Sequence, residues 1–239
     1  MRLRRLLTLA LGGGVAALVV WGASDRIAHG QTFRVNEVRF SGQVETTSAQ
    51  LRHLTNIRTG SHMFQTDLNR AVHGVEQHPW IESASARRRF PGTVEVTVTE
   101  HTPEMLVALD SLWYADSRGQ IFTQADPERL DFPILTGLDP ELLDAQPELG
   151  RRIVTRALGV LQTVREHAAI ADEDISELNF DAHRGFSLVL RNGSRVVLGF
   201  NTPVPLLDRL TQMVSLGLDL NEPQVIDLDI DSVAVVTPL

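Results

Sequence analysis

Cysteine is absent from all 239 residues. The chain therefore forms no disulfide, carries no thiolate nucleophile and holds no cysteine-ligated zinc. The absence does not identify a compartment, because an exported protein without disulfides and a cytoplasmic protein both fit it. Aromatic residues are scarce at 5%, but 43% hydrophobic and 22% charged residues are typical of a globular protein. The length suits one or two modest domains.

Recognisable motifs of catalysis, metal binding and nucleotide binding are missing as well. The sequence has no HExxH, no GxSxG, no phosphate-binding loop and no GxGxxG after a strand. An Asp-x-Asp-x-Asp run at 227–231 begins like a calcium loop, but Ser232 stands at the sixth position and Pro238 at the twelfth. We therefore expect no catalytic residue, no metal site and no cofactor. A hydrolase is the enzyme alternative, and no nucleophile–base motif supports it.

Basic residues are outnumbered, with 22 against 30 acidic residues and a net charge of −8. Three of the basic residues, Arg2, Arg4 and Arg5, are the only charges among the first 24 residues. The rest of the chain carries 19 basic and 30 acidic residues, a net charge of −11. A body of that charge repels phosphate backbones, which argues against nucleic acid as a partner.

One long hydrophobic run, from Leu6 to Ala23, contains no charged residue. As a helix its 18 residues would rise about 27 Å, close to the roughly 30 Å hydrocarbon core of a bilayer. Because positive residues stay in the cytoplasm, we predict a cytoplasmic tail at 1–5, a transmembrane helix at 6–23 with Leu6 and Trp21 near its ends, and a body outside the inner membrane. A cleaved signal peptide is the alternative, although the run is long for one and no A-x-A site follows it.

Residues 33–102 are predicted to form a small α+β unit in the order β-α-α-β-β. The pair Thr47-Ser48 caps the first short helix, and Thr66 or Asp67 caps the second. The last two strands alternate apolar and polar residues, so one face of the sheet is buried under the helices. Trp80 is expected to fill the gap between helix and sheet. The predicted strands are 33–41, 81–89 and 93–100.

Residues 103–239 are predicted to form a second unit, a mixed α/β domain with a mainly antiparallel sheet. Pro147 opens a helix whose apolar residues repeat at helical spacing, and a later helix has a similar stripe. The Asn-Gly pair at 192–193 predicts a tight hairpin in which Leu188 meets Val197. The predicted strands are 104–109, 112–115, 120–122, 175–180, 186–190 and 195–199, followed by a C-terminal strand.

The C-terminal strand, residues 224–239, points most directly to function. Residues 226–231 alternate apolar side chains with aspartate, which predicts one buried and one solvated face. After Ser232 the pattern changes, and Val233 and Val235 fall on the outer face, where a strand or helix of another chain can dock. A bulge near Ser232 that buries these valines is the alternative. The predicted partner-binding residues are Asp229, Ile230, Asp231, Ser232, Val233, Ala234, Val235 and Val236.

Several runs resemble motifs of one protein family. The residues HPWI at 78–81, RFPGT at 89–93 and EHTP at 100–103 resemble the end of the POTRA domain of the FtsQ/DivIB family of bacterial division proteins. The run LWYADSRGQIF at 112–122 resembles a hairpin of that family's β-domain. The motifs keep their order from about residue 33 to the C-terminus.

The terminal strand departs from the family pattern at three positions. Asp229 stands in place of a basic residue, Ile230 in place of a tyrosine and Val233 in place of a glycine. Pairing through the backbone could survive these changes, but the side-chain chemistry would differ.

The resemblance implies a POTRA domain at 33–102 and an FtsQ-type β-domain at 103–239. It further implies a non-enzymatic scaffold of the divisome, anchored in the cell inner membrane at the septum with a periplasmic body. Its partners would be division proteins of the FtsB and FtsL type, bound through the terminal strand to coordinate septal wall synthesis. The alternative is a POTRA-containing component of secretion or outer-membrane assembly, a class that should end in a transmembrane barrel.

Overall fold

The computed structural model describes residues 33–167, 170, 174–230 and 234–238. The chain divides into two compact units between Glu100 and His101. Within these described ranges, no helix combines the length and apolarity needed to cross a membrane. The predicted transmembrane helix at 6–23, including Leu6 and Trp21, lies outside the described residues.

The first unit has the predicted order β-α-α-β-β. β3 lies in the middle of its sheet, parallel to β1 and antiparallel to β2. Alternating valines of β3 are buried, and their strict period of two explains why the bounds of the last two strands were predictable. The elements are β1 (Glu37–Ser41), α1 (Ser48–Thr55), α2 (Leu68–Val75), β2 (Ile81–Arg89) and β3 (Thr93–Glu100).

Both helices of the first unit start at the predicted caps. The Thr47 hydroxyl accepts a hydrogen bond from the Gln50 N–H, and the Gln50 side chain accepts one from the Thr47 N–H, which forms a capping box. The Asp67 carboxylate accepts the Arg70 N–H at the start of α2. The capping hydrogen bonds at Thr47 and Asp67 satisfy N–H groups that the first turn of each helix leaves unpaired.

The prediction that Trp80 fills the core was wrong. Trp80 is only partly buried and lies outside the core of the first unit, whereas Met63, from the loop between α1 and α2, is fully buried. A long, unbranched methionine side chain adapts to an irregular gap more readily than an indole, whose N–H needs a partner. The buried core consists of Val35, Val38, Leu51, Met63, Val75, Ile81, Val94, Val96 and Val98.

Glu100, the last residue of β3, fastens the loop that precedes α1. Its carboxylate accepts the N–H groups of Val44 and Glu45, each at 2.8 Å, and the N–H and hydroxyl of Thr46 at 2.9 and 2.5 Å. Burial of the Glu100 carboxyl acts to raise its pKa, but these hydrogen bonds outweigh that effect, so the pKa lies below its ordinary value. The glutamate of the EHTP run is therefore a structural acceptor.

The second unit contains one sheet of nine strands in the order β12-β11-β10-β9-β8-β7-β4-β5-β6. Five of the eight strand pairings are antiparallel, as predicted, and three are parallel. The strands are β4 (Pro103–Ala108), β5 (Leu112–Asp116), β6 (Ile121–Gln124), β7 (Ile134–Thr136), β8 (Ile175–Asp181), β9 (Gly185–Leu190), β10 (Arg195–Gly199), β11 (Gln224–Asp227) and β12 (Val235–Pro238). The helices are α3 (Pro140–Ala145), α4 (Pro147–His167) and α5 (Pro203–Ser215).

A single cross-strand row runs through all nine strands on one face of this sheet. Six consecutive members of the row have 0% exposure, and they share one core with the buried residues of α4 and α5. Residues directly opposite each other across strands point to the same face, so the row fixes which face the helices cover. From β12 to β6 the row is Val236, Ile226, Val196, Leu188, Leu178, Leu135, Val107, Trp113 and Gln124.

The predicted register of the β9–β10 hairpin was wrong by one residue. Leu188 lies opposite Val196 instead of Val197. The Leu190 N–H donates to the Ser194 carbonyl at 2.8 Å, so the loop has three residues, and only Gly193 among them has a positive φ, of 90°. A three-residue loop with a left-handed glycine replaces the two-residue turn that an Asn-Gly pair favours. The shift places Val196 and Leu188 on the helix-covered face.

Asp116 organises the turn between β5 and β6. Its carboxylate accepts the N–H groups of Arg118 and Gln120, both at 2.9 Å, and lies 2.9 Å from the His101 ring nitrogen. The His101 ring stacks on Phe122 with ring centroids 4.6 Å apart. Burial raises the pKa of the Asp116 carboxyl, but the bonds from Gln120, His101 and Arg118 outweigh it and hold that pKa below its ordinary value. The aspartate of the LWYADSRGQIF run thus also has a structural role.

We predict that Glu100→Gln destabilises the first unit by about 1–3 kcal/mol, because a charged acceptor of several hydrogen bonds is lost. Since the pKa of Glu100 is lowered on folding, its contribution is fully present above its ordinary value of 4.5 and is lost as the pH falls through the lower folded value. Hydrogen exchange of the amides at 44–46, measured at pH 7 and pH 4, should be faster in the variant, and the difference should be smaller at pH 4.

Glu37→Gln is the matched control, because Glu37 is an exposed carboxylate that pairs with Arg39 at 2.9 Å. A surface pair of this kind contributes little, so exchange at 44–46 should stay unchanged. Equal effects of the two substitutions would contradict the role given to Glu100.

Candidate functional site

The C-terminal edge of the nine-stranded sheet differs from the single strand predicted for 224–239. β11 ends at Asp227, the chain leaves the sheet, and β12 returns antiparallel to β11 as the outermost strand. The prediction of one strand through 226–231 was therefore wrong. Sequence alternation correctly predicted that Ile226 and Leu228 are buried. The edge of β11 is not free, however, because β12 pairs with it. The candidate edge is the side of β12 that points away from β11, here called the outer edge.

The start of β11 is fixed to the β9–β10 hairpin by buried polar groups. The fully buried Ser194 hydroxyl donates to the Glu222 carbonyl at 3.0 Å and accepts the Gln224 N–H at 3.2 Å. The Asn192 amide donates to the Leu220 carbonyl at 2.6 Å. Because the hairpin supplies two donors and one acceptor to the segment 220–224, β11 enters the sheet beside β10 in one register.

The connection after β11 is held by side chains from α5 and from the loop after β10. The Arg209 guanidinium donates to the carbonyls of Leu228 and Ile230 at 3.3 and 3.0 Å. The Asn201 amide donates to the Asp229 carboxylate at 2.7 Å. A charged donor on backbone carbonyls is among the stronger hydrogen bonds, so the connection is anchored where it leaves the sheet.

Two of the alternating aspartates serve this turn instead of a solvated strand face. The Asp227 carboxylate accepts the Asp229 N–H at 3.0 Å, a local bond that turns the chain after β11. The Asp229 carboxylate lies over Gly199, where an added Cβ would stand 1.9 Å from its Oδ1. Gly199 has a φ of 65°. Glycine is therefore required at this position both for its backbone conformation and for the space that Asp229 occupies.

The direction of the backbone groups in β11 follows from one hydrogen bond. The Leu228 N–H donates to the Val197 carbonyl in β10 at 3.0 Å. Backbone groups alternate in direction along a strand, so those of Val225 and Asp227 point the other way, toward β12. These two residues lie opposite Thr237 and Val235.

On β12, Val235 and Thr237 consequently turn their backbone groups inward to β11, and Val236 turns its N–H and C=O to the outer edge. No strand in the described part of the chain pairs with that edge. Pro238 also faces outward but has no N–H to offer. The side chains of Val235 and Val236 are 43% and 38% exposed. The outer edge thus combines an open backbone pair with two apolar side chains.

The structure brings only part of the predicted site together. Val235 and Val236 lie on the edge strand, and Ala234 is partly buried against the core. Asp229 and Ile230 lie in the connection, with Ile230 46% exposed. The remaining predicted residues, Asp231, Ser232 and Val233, lie outside the described residues.

Sequence reasoning missed Gly199, Asn201 and Arg209. The glycine after an alternating strand is a signal for a positive φ, but the two polar residues lie 28 and 19 residues from their partners Asp229 and Leu228. Such pairs leave no periodic trace in a single sequence. Across the described ranges, no group of three or more histidine, aspartate or glutamate residues could hold a metal ion. The chemistry available at the outer edge is strand pairing and apolar contact.

Two family models match the chain. The model described as POTRA domain, FtsQ-type, matches residues 33–101, and the model described as Cell division protein FtsQ/DivIB, C-terminal, matches residues 107–229. The second match ends at residue 229, before β12 begins at Val235.

Curated relatives agree with both matches. The cell division protein FtsQ of Myxococcus fulvus is 32% identical over 216 residues, which cover 89% of this chain and 75% of the relative. The cell division protein FtsQ of Anaeromyxobacter sp. (strain K) is 32% identical over 235 residues, which cover 95% and 80%. A solved structure of Haemophilus influenzae BamA POTRA3-5 aligns over 85% of this chain and 94% of its own at 11% identity, and its TM-score of 0.24 carries no argument about fold.

We predict that Gly199→Ala lowers the free energy of unfolding by about 1–3 kcal/mol more than Gly193→Ala. Both glycines have a positive φ, but an added Cβ at Gly193 meets nothing within 4 Å, whereas at Gly199 it collides with Asp229. Chemical denaturation followed by circular dichroism measures the two losses.

A second substitution separates the collision from backbone strain. Asp229→Ala in the Gly199→Ala background should recover part of the loss, because the two residues are in contact and their effects are coupled. Equal losses for the two glycines, or no recovery, would show that the contact with Asp229 does not shape this turn.

Proposed function

Because the chain belongs to the FtsQ/DivIB family of cell division proteins, we propose that it serves the divisome as a non-enzymatic scaffold. In this proposal the chain is a single-pass protein of the cell inner membrane, anchored by residues 6–23, and its periplasmic units bind other division proteins at the septum. The partners are of the FtsB and FtsL type, and the binding coordinates septal wall synthesis.

The observation that carries the proposal is the outer edge of β12. An exposed strand edge is a template on which an extended segment of another protein can add a strand. The N–H and C=O of Val236 supply one pair of ladder hydrogen bonds, and Pro238 limits how far a ladder can extend in that direction. A docked strand would therefore be short and centred on Val236.

The two valines would add affinity to the backbone pairing. Val236 lies on the helix-covered face of the sheet and Val235 on the opposite face, so a partner that crosses the edge contacts both. Both are more than one-third exposed. Burying each of them contributes about 1 kcal/mol, which supports binding without making it permanent.

The chain that follows β11 is anchored by side chains from other elements. Arg209 and Asn201 hold the chain between Leu228 and Ile230, and β12 is paired with β11 along its four residues. A pre-ordered edge loses less conformational entropy on binding than a free tail. We infer that the interaction uses a formed strand rather than folding of the C-terminus on the partner.

The alternative, a component of secretion or outer-membrane assembly, is not favoured. Both family models and the curated relatives describe division proteins. The likeness to BamA has a TM-score of 0.24 and gives this alternative no support.

We predict that Val235→Asp combined with Val236→Asp lowers partner recovery on the order of tenfold or more, because a docked strand would have to desolvate two carboxylates. Pull-down of an FtsB- and FtsL-type pair by the full-length chain in detergent measures the effect. Deleting residues 225–239 is a poorer test, since Ile226 and Leu228 are fully buried and their loss would disturb the sheet itself.

Val44→Asp is the control for this experiment. Val44 is 85% exposed and belongs to the first unit, so the same change of chemistry is made at a residue that is not part of the outer edge. Recovery should remain at the level of the unaltered chain. Undiminished recovery with the double β12 variant, whose fold is checked by circular dichroism, would refute binding at the outer edge.

A further inference from the structure

Three phenylalanines form an exposed cluster at one end of the first unit, here called the aromatic tip. The ring centroids of Phe33, Phe64 and Phe90 are 5.5–5.7 Å apart in all three pairs. Phe64 and Phe90 are 56% and 57% exposed, and none of the three belongs to the buried core. A packed group of half-exposed aromatic rings in a chain with only 5% aromatic residues marks an interaction surface.

The aromatic tip is preformed by the backbone of three separate segments. The Met63 N–H donates to the Phe33 carbonyl at 2.9 Å, which joins the start of the unit to the loop between α1 and α2. The Asn36 N–H donates to the Gly92 carbonyl at 2.7 Å, which joins it to the turn between β2 and β3. Because these contacts hold the three rings together, the tip is ready to bind without rearrangement.

Three arginines lie beside the aromatic tip, in sequence or through hydrogen bonds to the loop that carries Phe64. Arg34 donates to the Gly60 carbonyl at 2.7 Å, and Arg88 donates to the carbonyls of Met63 and Thr66 at 2.9 and 2.7 Å, on both sides of Phe64. Arg89 directly precedes Phe90, and its guanidinium shares the Glu95 carboxylate with that of Arg87. Arginine beside an exposed aromatic is suited to an interface that carries phosphate groups.

The charge of the first unit contrasts with that of the rest of the body. Residues 33–100 contain eight arginines and seven acidic residues, a net charge of +1. Residues 101–239 contain ten arginines and 22 acidic residues, a net charge of −12. An anionic bilayer therefore repels the second unit and tolerates the first.

The distance along the chain to the predicted anchor is short. Nine residues, 24–32, separate the apolar run ending at Ala23 from Phe33. Fully extended, they reach at most about 35 Å. A unit of this size has a radius of gyration of about 11 Å. Since the tether attaches at Phe33, which is itself part of the aromatic tip, the tip is within reach of the bilayer.

The geometry points to the aromatic tip as a membrane-docking surface that inserts Phe64 and Phe90 among the headgroups of an anionic bilayer, with Arg34 and Arg88, which pair with no carboxylate among the described residues, close to lipid phosphates. This inference rests on the membrane anchor of the proposed function. The docking orients the first unit on the membrane, and it uses surfaces separate from the outer edge of β12.

We predict that a fluorophore beside the aromatic tip is in contact with lipid. Because the chain has no cysteine, Gln65→Cys places a single environment-sensitive label at the tip, and Val44→Cys places one at a reference position of the same unit. In full-length chain reconstituted into nanodiscs of phosphatidylethanolamine and phosphatidylglycerol, headgroup-level spin-labelled lipid should quench the label at 65 several-fold more than the label at 44. Phosphatidylcholine nanodiscs should reduce this difference.

The Gln65→Cys chain is then given two further substitutions, Phe64→Ser and Phe90→Ser. They should lower the docked fraction on the order of tenfold and bring quenching at 65 down to the level at 44. Both rings are more than half exposed, so circular dichroism of the variant should match that of the parent. Chain that does not incorporate into nanodiscs would overturn the anchor and the docking together. If the chain incorporates but the labels at 65 and 44 are quenched equally, the membrane docking is refuted and the anchor is not. The aromatic tip would then be a surface for a protein partner.

Discussion

The apolar row that crosses the nine-stranded sheet is the constraint on which the second unit depends. From Ile226 in β11 to Val107 in β4, each member is fully buried in the core that α4 and α5 share, so a shift of one residue would replace a buried apolar side chain by its neighbour, such as Asp227 in β11 or Arg195 in β10. The hairpin register follows from this requirement, because Val196 has to join Leu188 in the row. β12 is the last strand that the row reaches at this end, and its Val236 is 38% exposed. The outer edge exists because the core ends there.

Several acidic side chains of this protein accept hydrogen bonds from backbone N–H groups. Glu100 closes the loop before α1, Asp116 holds the β5–β6 turn, and Asp227 turns the chain after β11. Each carboxylate accepts hydrogen bonds from N–H groups that a turn leaves unpaired. The same principle accounts for the aspartate alternation near the C-terminus, which suggests a solvated strand but serves a turn.

The two surfaces that we propose for binding differ in the interactions that they offer a partner. The outer edge of β12 offers backbone groups and two valines, and suits an extended segment of a protein. The aromatic tip offers rings and guanidinium groups, and suits a layer of lipid headgroups. Placing them on separate units allows a scaffold to hold its position at a membrane with one surface while the other remains available to a partner. Neither surface requires a catalytic group.

Local patterns in the sequence determined much of this fold. The period of two in β2 and β3, the caps at Thr47 and Asp67 and the FtsQ-type motifs were sufficient for the order of elements and for the family, because each depends on residues close together in the chain. Only the tertiary structure decided that Trp80 stays out of the core, that the last strand is divided in two, and where the free edge lies. Those outcomes depend on contacts such as Arg209 with the carbonyl of Ile230, 21 residues apart, whose free energy appears only when distant segments are already packed. The sequence therefore specified which side chains are favourably buried and which polar groups need a hydrogen-bond partner, and the tertiary structure determined which partner each one has.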